Sequence, residues 1–288
     1  MTRSKATVTG FVAVLLWALL ALFTVGSAPT PPLLLNTLCF GIGGIVGLIW
    51  AWVTGSFQQM RLVPLRVYLF GAAGLFTYHL LYFSALRLAP AAEAGLIAYL
   101  WPLLIVVFSG LLPSEQLRRG HIEGALLGFA GAALIVTNGG IGLSTDYLGG
   151  YALALLAAIT WASYSVLSRR IGTAPTASVA VFCLATSALS LPLHLMFEQT
   201  VLPTSALGWI CIAGLGLGPV GFAFYVWDIG CKYGDIQLLG TSAYAAPLLS
   251  TLALVIAGMA VPDNTLLWAS LMITGGALIA ARASFYRK

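Results

Sequence analysis

The sequence predicts an all-α membrane protein with ten transmembrane helices in two inverted five-helix repeats. Three observations predict it: the scarcity of charge, the spacing of the charges that remain, and a weak similarity between the two halves of the chain. Of 288 residues, 60% are hydrophobic and only 7% are charged. A soluble domain carries roughly 25% charge, because its surface must face water. Thirteen Lys and Arg with eight Asp and Glu cannot coat a soluble particle of this length, so hydrocarbon is the solvent that fits.

The uncharged runs give the elements in order. No charged residue separates Lys5 from Arg61, and Pro29, Pro31 and Pro32 divide that stretch into two spans. Further uncharged runs cover 67–86, 94–114, 124–145, 147–168, 171–197, 199–227, 236–262 and 264–281. Each supplies the roughly 20 residues that cross about 30 Å of hydrocarbon. None alternates with period two, so helices fit and barrel strands do not. The expected spans are 8–26, 32–54, 66–87, 91–112, 121–139, 149–168, 175–196, 205–231, 236–258 and 264–282.

Threading these spans puts Arg3, Lys5, Arg61, Arg66, Arg118, Arg119, Arg169, Arg170, Lys232, Arg282, Arg287 and Lys288 on one face and Arg87 alone on the other. That excess marks the first face as cytoplasmic, with both termini there. The positive balance is therefore topological, and no nucleic-acid partner is implied. Glu93, Asp146, Glu198 and Asp263 fall on the opposite face, where acids are weakly constrained. Arg3, Lys5 and the apolar run that follows imitate a secretory signal, but the first span has a counterpart in mid-chain, which favours its retention. Cys39, Cys183, Cys211 and Cys231 lack metal-type spacing and read as small buried hydrophobes.

The counterpart emerges on comparing the chain with itself. At an offset of 144, Trp17-Ala18 aligns with Trp161-Ala162, Pro31 with Pro175 and Cys39 with Cys183; at 145, Gly95 aligns with Gly240, Tyr99 with Tyr244 and Pro102-Leu103-Leu104 with Pro247-Leu248-Leu249. Residues 1–140 and 141–288 then form two five-span halves. An odd span number makes the second half enter from the opposite face. Inverted repeats of this kind recur in secondary transporters, with the site at mid-membrane between the halves.

Candidate residues follow from what is costly in lipid. Pro102 and Pro247 fall near the middle of spans four and nine, where proline removes a backbone hydrogen bond. They read as paired hinges, or as the prolines that membrane helices commonly tolerate. Span eight carries Gly214, Gly216, Gly218, Pro219 and Gly221, a stretch suited to close packing or to a hinge around Gly218 and Pro219. Tyr78 and Tyr82 share a face of span three bordered by His79; Trp161 and Tyr164 share one on span six; Phe224, Tyr225 and Asp228 read as one on span eight. Trp17, Tyr99, Trp101 and Tyr244 add aromatics at mid-span depth, lining a cavity or filling packing space. Trp50, Trp52, Trp209 and Trp268, near span ends, suit the interfacial belt. His79 could move a proton or rest neutral against a neighbouring helix. Asp228 with Lys232 one turn on reads as an interfacial ion pair, or as a gate contact.

Absences narrow the chemistry. No intramembrane basic cluster is present to hold phosphates, span one has no acid for a dedicated cation, and His121 with Glu123, placed at a cytoplasmic loop, does not form a zinc motif. No enzyme activity, cofactor or metal is expected. What remains is an uncharged, aromatic interior for a neutral or zwitterionic small molecule, worked by a monomeric carrier in a lipid bilayer.

With ten spans in two halves, Trp17 and Trp161, the Gly95…Tyr99…Pro102 and Gly240…Tyr244…Pro247 segments and the Gly131-Ala132-Ala133-Leu134-Ile135 and Gly275-Gly276-Ala277-Leu278-Ile279 endings, the chain resembles the EamA-type members of the drug/metabolite transporter superfamily. Pro113-Ser114-Glu115 matches that family's acidic turn, and Ala260 departs from it in the second half. Tyr78-His79-Leu80-Leu81-Tyr82 resembles aromatic amino acid exporters of the YddG type. The resemblance implies export of aromatic and other neutral amino acids across a bacterial inner membrane, with Tyr78, His79, Tyr82, Tyr99, Trp101 and Tyr244 around the cavity. A multidrug exporter of hydrophobic cations is the rival reading; an intramembrane enzyme or structural subunit is further off.

Overall fold

The computed structural model describes residues 1–113, 115–137, 143–171, 174–256, 258 and 264–285. Ser114, Ala260, Asp263, Arg287 and Lys288, named above, lie outside them. Among the described residues, ten helices are long and apolar enough to cross a membrane: α1 (Arg3–Gly26), α2 (Pro32–Val53), α3 (Leu65–Leu88), α4 (Ala91–Ser109), α5 (Arg119–Thr137), α6 (Thr145–Ile171), α7 (Thr176–Phe197), α8 (Ala206–Tyr233), α9 (Ile236–Ile256) and α10 (Asn264–Ser284). Their starts are written in the sequence. Pro31, Pro64 and Pro90 stand immediately before α2, α3 and α4, and proline suits a helix start because the first N–H groups have no partner to lose. Ser205 and Asp235 cap α8 and α9, accepting the Gly208 and Leu238 amides at 3.1 and 3.0 Å.

Spans four and nine are not kinked helices. Each is broken: α4 between Ala98 and Trp101, α9 between Ser242 and Ala245. Pro102 and Pro247 sit just after the breaks, because a proline ring clashes with the carbonyl four residues back, here Ala98 and Ala243. Span one also breaks, at Ala18-Leu19, which nothing in the sequence marked. In α8 the glycine segment widens into a π-turn over Gly218–Phe222 without interrupting the span.

The extensive pairings between the first five helices and the last five include α5 with α10, α1 with α8, α2 with α7, α3 with α6, α2 with α8 and α3 with α7, with a smaller contact of α4 with α9. Exchanging each helix for the one five places away returns the same set. Glycines let backbones meet at several crossings, two of them on α8. A Cβ on Gly10 would lie 2.8 Å from the Gly230 Cα, locking α1 onto α8, and one on Gly43 would lie 2.7 Å from the Gly221 Cα, locking α2 onto the π-turn. Lipid gives helices no hydrophobic reason to associate, so close van der Waals contact must hold them. Trp50, Trp52, Trp209 and Trp268 are exposed on the outside, as their span-end positions predict. The four cysteines are buried thiols.

Candidate functional site

Rings from α1, α2, α3, α4, α6 and α8 converge in the middle of the bundle. Trp17 is the hub. Its ring centroid lies 5.9 Å from Trp101, 6.1 Å from Trp161, 6.4 Å from Phe224 and 5.0 Å from Trp227. It closes the first stretch of α1, and its Nε1 donates to the Pro219 carbonyl at 3.1 Å, joining the break in α1 to the π-turn of α8. Tyr78 lies 5.1 Å from Trp161 and stacks on Tyr82, with planes 9° apart. Tyr164 extends the cluster from Trp161, at 5.4 Å. His79 meets Phe40 edge-on at 4.9 Å, and its Nδ1 lies 2.7 Å from the Leu75 carbonyl. That separation requires Nδ1 to donate, so Nε2 is the nitrogen left for another partner. The bond runs one turn back along its own helix, whereas one of its two readings had it against a neighbouring helix.

Trp17, Tyr78, His79, Tyr82, Trp101, Trp161, Tyr164 and Phe224 therefore meet, and three expected residues stand apart. Tyr225 points away toward α2, where its hydroxyl donates to the Gly43 carbonyl at 3.0 Å. Adjacent residues on a helix diverge by about 100°, so Phe224 and Tyr225 do not share a face. Trp227, three residues beyond Phe224, does share it, and it is fully buried with Nε1 donating to Ser165 Oγ at 3.0 Å. The i, i+3 rule applied from Phe224 would have found it. Phe40, stacked on Phe224 at 5.4 Å, carried no sequence signal. Tyr99 packs beside a second apolar cluster that contains Tyr244.

Tyr244 is a backbone partner rather than a cavity wall. Its hydroxyl accepts the Leu103 amide at 3.0 Å, one of the N–H groups left over where the second stretch of α4 begins. The break in α9 thus caps the break in α4. Tyr244→Phe is expected to destabilise the protein by about 1–3 kcal/mol by stranding that buried amide. Thermal unfolding in detergent checks it, and an unchanged midpoint counts against the cap.

The charged residues form sets at the two ends. On the arginine-rich face, Arg169 Nε donates to the Cys231 carbonyl at 2.8 Å, and its remaining nitrogens reach Gly234 O and Glu115 Oε1. Glu115 Oε2 accepts from Arg3 at 3.0 Å, and Arg3 lies 3.2 Å from Asp235. One bonded set therefore joins α1, the α4–α5 connection, α6, α8 and α9. Beside it, Lys232 Nζ and Asp228 Oδ2 pair at 2.9 Å, with Thr176 donating to Asp228 and Lys232 donating to the Ala174 carbonyl. Both are buried, so protein rather than water surrounds the pair. The end of α8 packs inward against the α6–α7 connection, and protein supplies the partners that water was expected to give. His121 is likewise buried in the first turn of α5, 3.2 Å from Ser284 Oγ, rather than in a loop. At the opposite end Glu198 is far from weakly constrained. It takes the Leu33 and Leu34 amides at the start of α2, pairs with Arg87 at 2.5 Å and bonds His194 at 2.9 Å.

Packing round by protein and access to the surface do not coincide everywhere. Tyr78, His79, Tyr82 and Tyr99 lie deep in the bundle, yet each keeps accessible surface.

A family model described as EamA-like transporter family matches residues 4–137 and, separately, residues 148–282. The chain belongs to the EamA-like transporter family. That is the family its sequence resembled, and the EamA-like fold makes it a multi-pass membrane transporter. Among its relatives, the aromatic amino acid exporter YddG of Ancylobacter novellus is 51% identical over 282 residues, spanning 97% of this chain and 98% of that one. The protein of the same name from Escherichia coli is 26% identical over 293 residues, 97% of each chain. A solved crystal structure 50% identical to this EamA-like chain superposes with a TM-score of 0.93, covering 98% of this chain and 99% of the other.

Proposed function

We propose that the protein exports aromatic and other neutral amino acids from the cytoplasm by alternating access, through a central hollow lined by the aromatic cluster. Residues 1–140 and 141–288 act as inverted repeats in a bacterial inner membrane, with both termini cytoplasmic and a monomer as the working unit. The observation that carries this reading is the set Tyr78, His79 and Tyr82. A side chain that is deep and still touched by solvent borders an internal space, and hollows of this apolar, aromatic make-up hold small molecules. The exchange symmetry of the helix pairings and the twofold family match support the inverted repeats. The names of the 51% and 26% identical relatives support the substrate class.

On this reading the rings stack on the apolar part of the substrate, while tyrosine hydroxyls and His79 Nε2 bond its amino and carboxyl groups. The set around Arg169 and Glu115 keeps the arginine-rich end shut. Loading from that side needs it to part, with Pro102, Pro247 and the Gly218–Pro219 turn as the flexible points and Asp228–Lys232 beside the gate. Purified protein in liposomes preloaded with radiolabelled phenylalanine tests the reading, with a substrate panel, cationic dyes, and assays with and without a proton gradient. Exchange of aromatic amino acids resisted by dyes supports it. Movement of dyes alone replaces it with the multidrug reading.

A further inference from the structure

A cavity of about 890 Å³ opens on the arginine-rich face between the short helix Phe57–Arg61, the start of α3, the end of α6 and the end of α8. Its polar wall holds Arg66, Arg170 and Gln59, and its floor is Val67 and Phe70. No carboxylate lines it, and neither arginine makes an ion pair among the described residues. Arg170 has one long bond, from Nη2 to the Leu111 carbonyl at 3.5 Å. Two guanidinium groups face one hollow without a counter-ion. Such an arrangement repels itself until an anion enters.

The other wall identifies the anion's owner. Leu62, which lines the cavity, is 84% exposed, and Leu65 and Leu69 just beyond it on α3 are exposed as well. Leu62 therefore gives the cavity mouth an exposed apolar flank, and two more exposed leucines follow at the start of α3. A soluble anion needs no such apolar flank; a phospholipid does. The feature is also one-sided. The positions 144 before Arg170 and 145 after Arg66 are Gly26 and Cys211. There a Cβ on Gly26 would sit 2.4 Å from the Cys211 Sγ, so the equivalent space at the other end is closed and uncharged.

We propose that this cavity is a headgroup site for an anionic phospholipid, the phosphate held between Arg66 and Arg170 and the first acyl carbons laid along Leu62, Leu65 and Leu69. Basic pockets between spans at the cytoplasmic surface take anionic headgroups in this way. Arg170 is the neighbour of Arg169, which ties Glu115, so a bound lipid steadies the end of α6 on which the closed face depends.

The test uses the full-length protein in phosphatidylcholine vesicles doped with spin-labelled phosphatidylglycerol, read by electron paramagnetic resonance. The expected result is a motionally restricted phosphatidylglycerol component that spin-labelled phosphatidylcholine does not show. Arg66→Gln and Arg170→Gln should each weaken it about fivefold, the effect of one basic group at a lipid surface. Arg66→Lys should retain most of it. Lys5→Gln, which removes equal charge from the same face outside the cavity, should leave it unchanged, and a matching far-ultraviolet spectrum excludes misfolding. Equal loss in Lys5→Gln means diffuse surface charge and overturns the site. So does displacement of the restricted component by phenylalanine, which makes the cavity a vestibule for substrate carboxylates.

Discussion

Glu115→Gln should open the arginine-rich face and make Cys231 react with a water-soluble maleimide about a hundredfold faster. Glu115 has a side chain only 1% exposed, and that of its partner Arg169 is 13% exposed. Removing one member of a buried pair typically destabilises by about 3–5 kcal/mol, because the other charge is left uncompensated. The low end applies here. Arg169 keeps its bonds to the Cys231 and Gly234 carbonyls, and the contribution of Arg3, 38% exposed, is screened by solvent. About 3 kcal/mol corresponds to roughly two powers of ten in the population of the opened end. Cys231 is a native reporter, fully buried behind the very carbonyl that Arg169 holds. With Cys39, Cys183 and Cys211 replaced by alanine, labelling reads the end directly. Equal labelling rates in the parent and in Glu115→Gln would remove the carboxylate from any role in closure.

Trp161→Ala should abolish amino acid exchange and lower stability by about 3 kcal/mol. Trp161 touches Trp17, Tyr78, Trp101, Tyr164, Phe224 and Trp227, with centroids between 5.1 and 6.4 Å. Large-to-small changes of an aromatic in a core usually destabilise by about 3–5 kcal/mol. In a bilayer the lower figure is apt, since lipid is as apolar as the core and only dispersion contacts are lost. Trp161→Phe separates the two roles. It keeps a ring in place and so most of the stability, while each aromatic contact it loosens is worth about 0.5–1.5 kcal/mol to whatever stacks there. Exchange slowed in Trp161→Phe with a near-parental unfolding midpoint marks a substrate contact. Full exchange in Trp161→Ala would move the substrate elsewhere.

The spans were legible because solvation in lipid is a coarse, additive demand. A run without charge must cross, and each expected span overlaps a helix of the structure. Site residues depended on finer geometry. Trp17, Trp161 and Tyr78 could be named from depth alone. Phe224 and Tyr225 could not be separated without the rotation of α8, and Tyr244 looked like a cavity ring until the break in α4 supplied an amide needing an acceptor. Glu198 and Asp228 misled for a related reason: their position along the chain indicates membrane depth, but not whether protein or water surrounds them. The break of α1 at Ala18-Leu19 has no glycine or proline to announce it; it falls beside the bond from Trp17 to α8.

The backbone contact between Gly10 and Gly230 bears on which parts can move as one. With no side chains between them, α1 and α8 behave like a single beam, although one comes from each end of the gene product. That contact therefore does not follow the boundary between the two stretches that match the family model. Expressed as two separate polypeptides divided between α5 and α6, neither fragment holds its own beam, and function should return only when both are made together in the same cell.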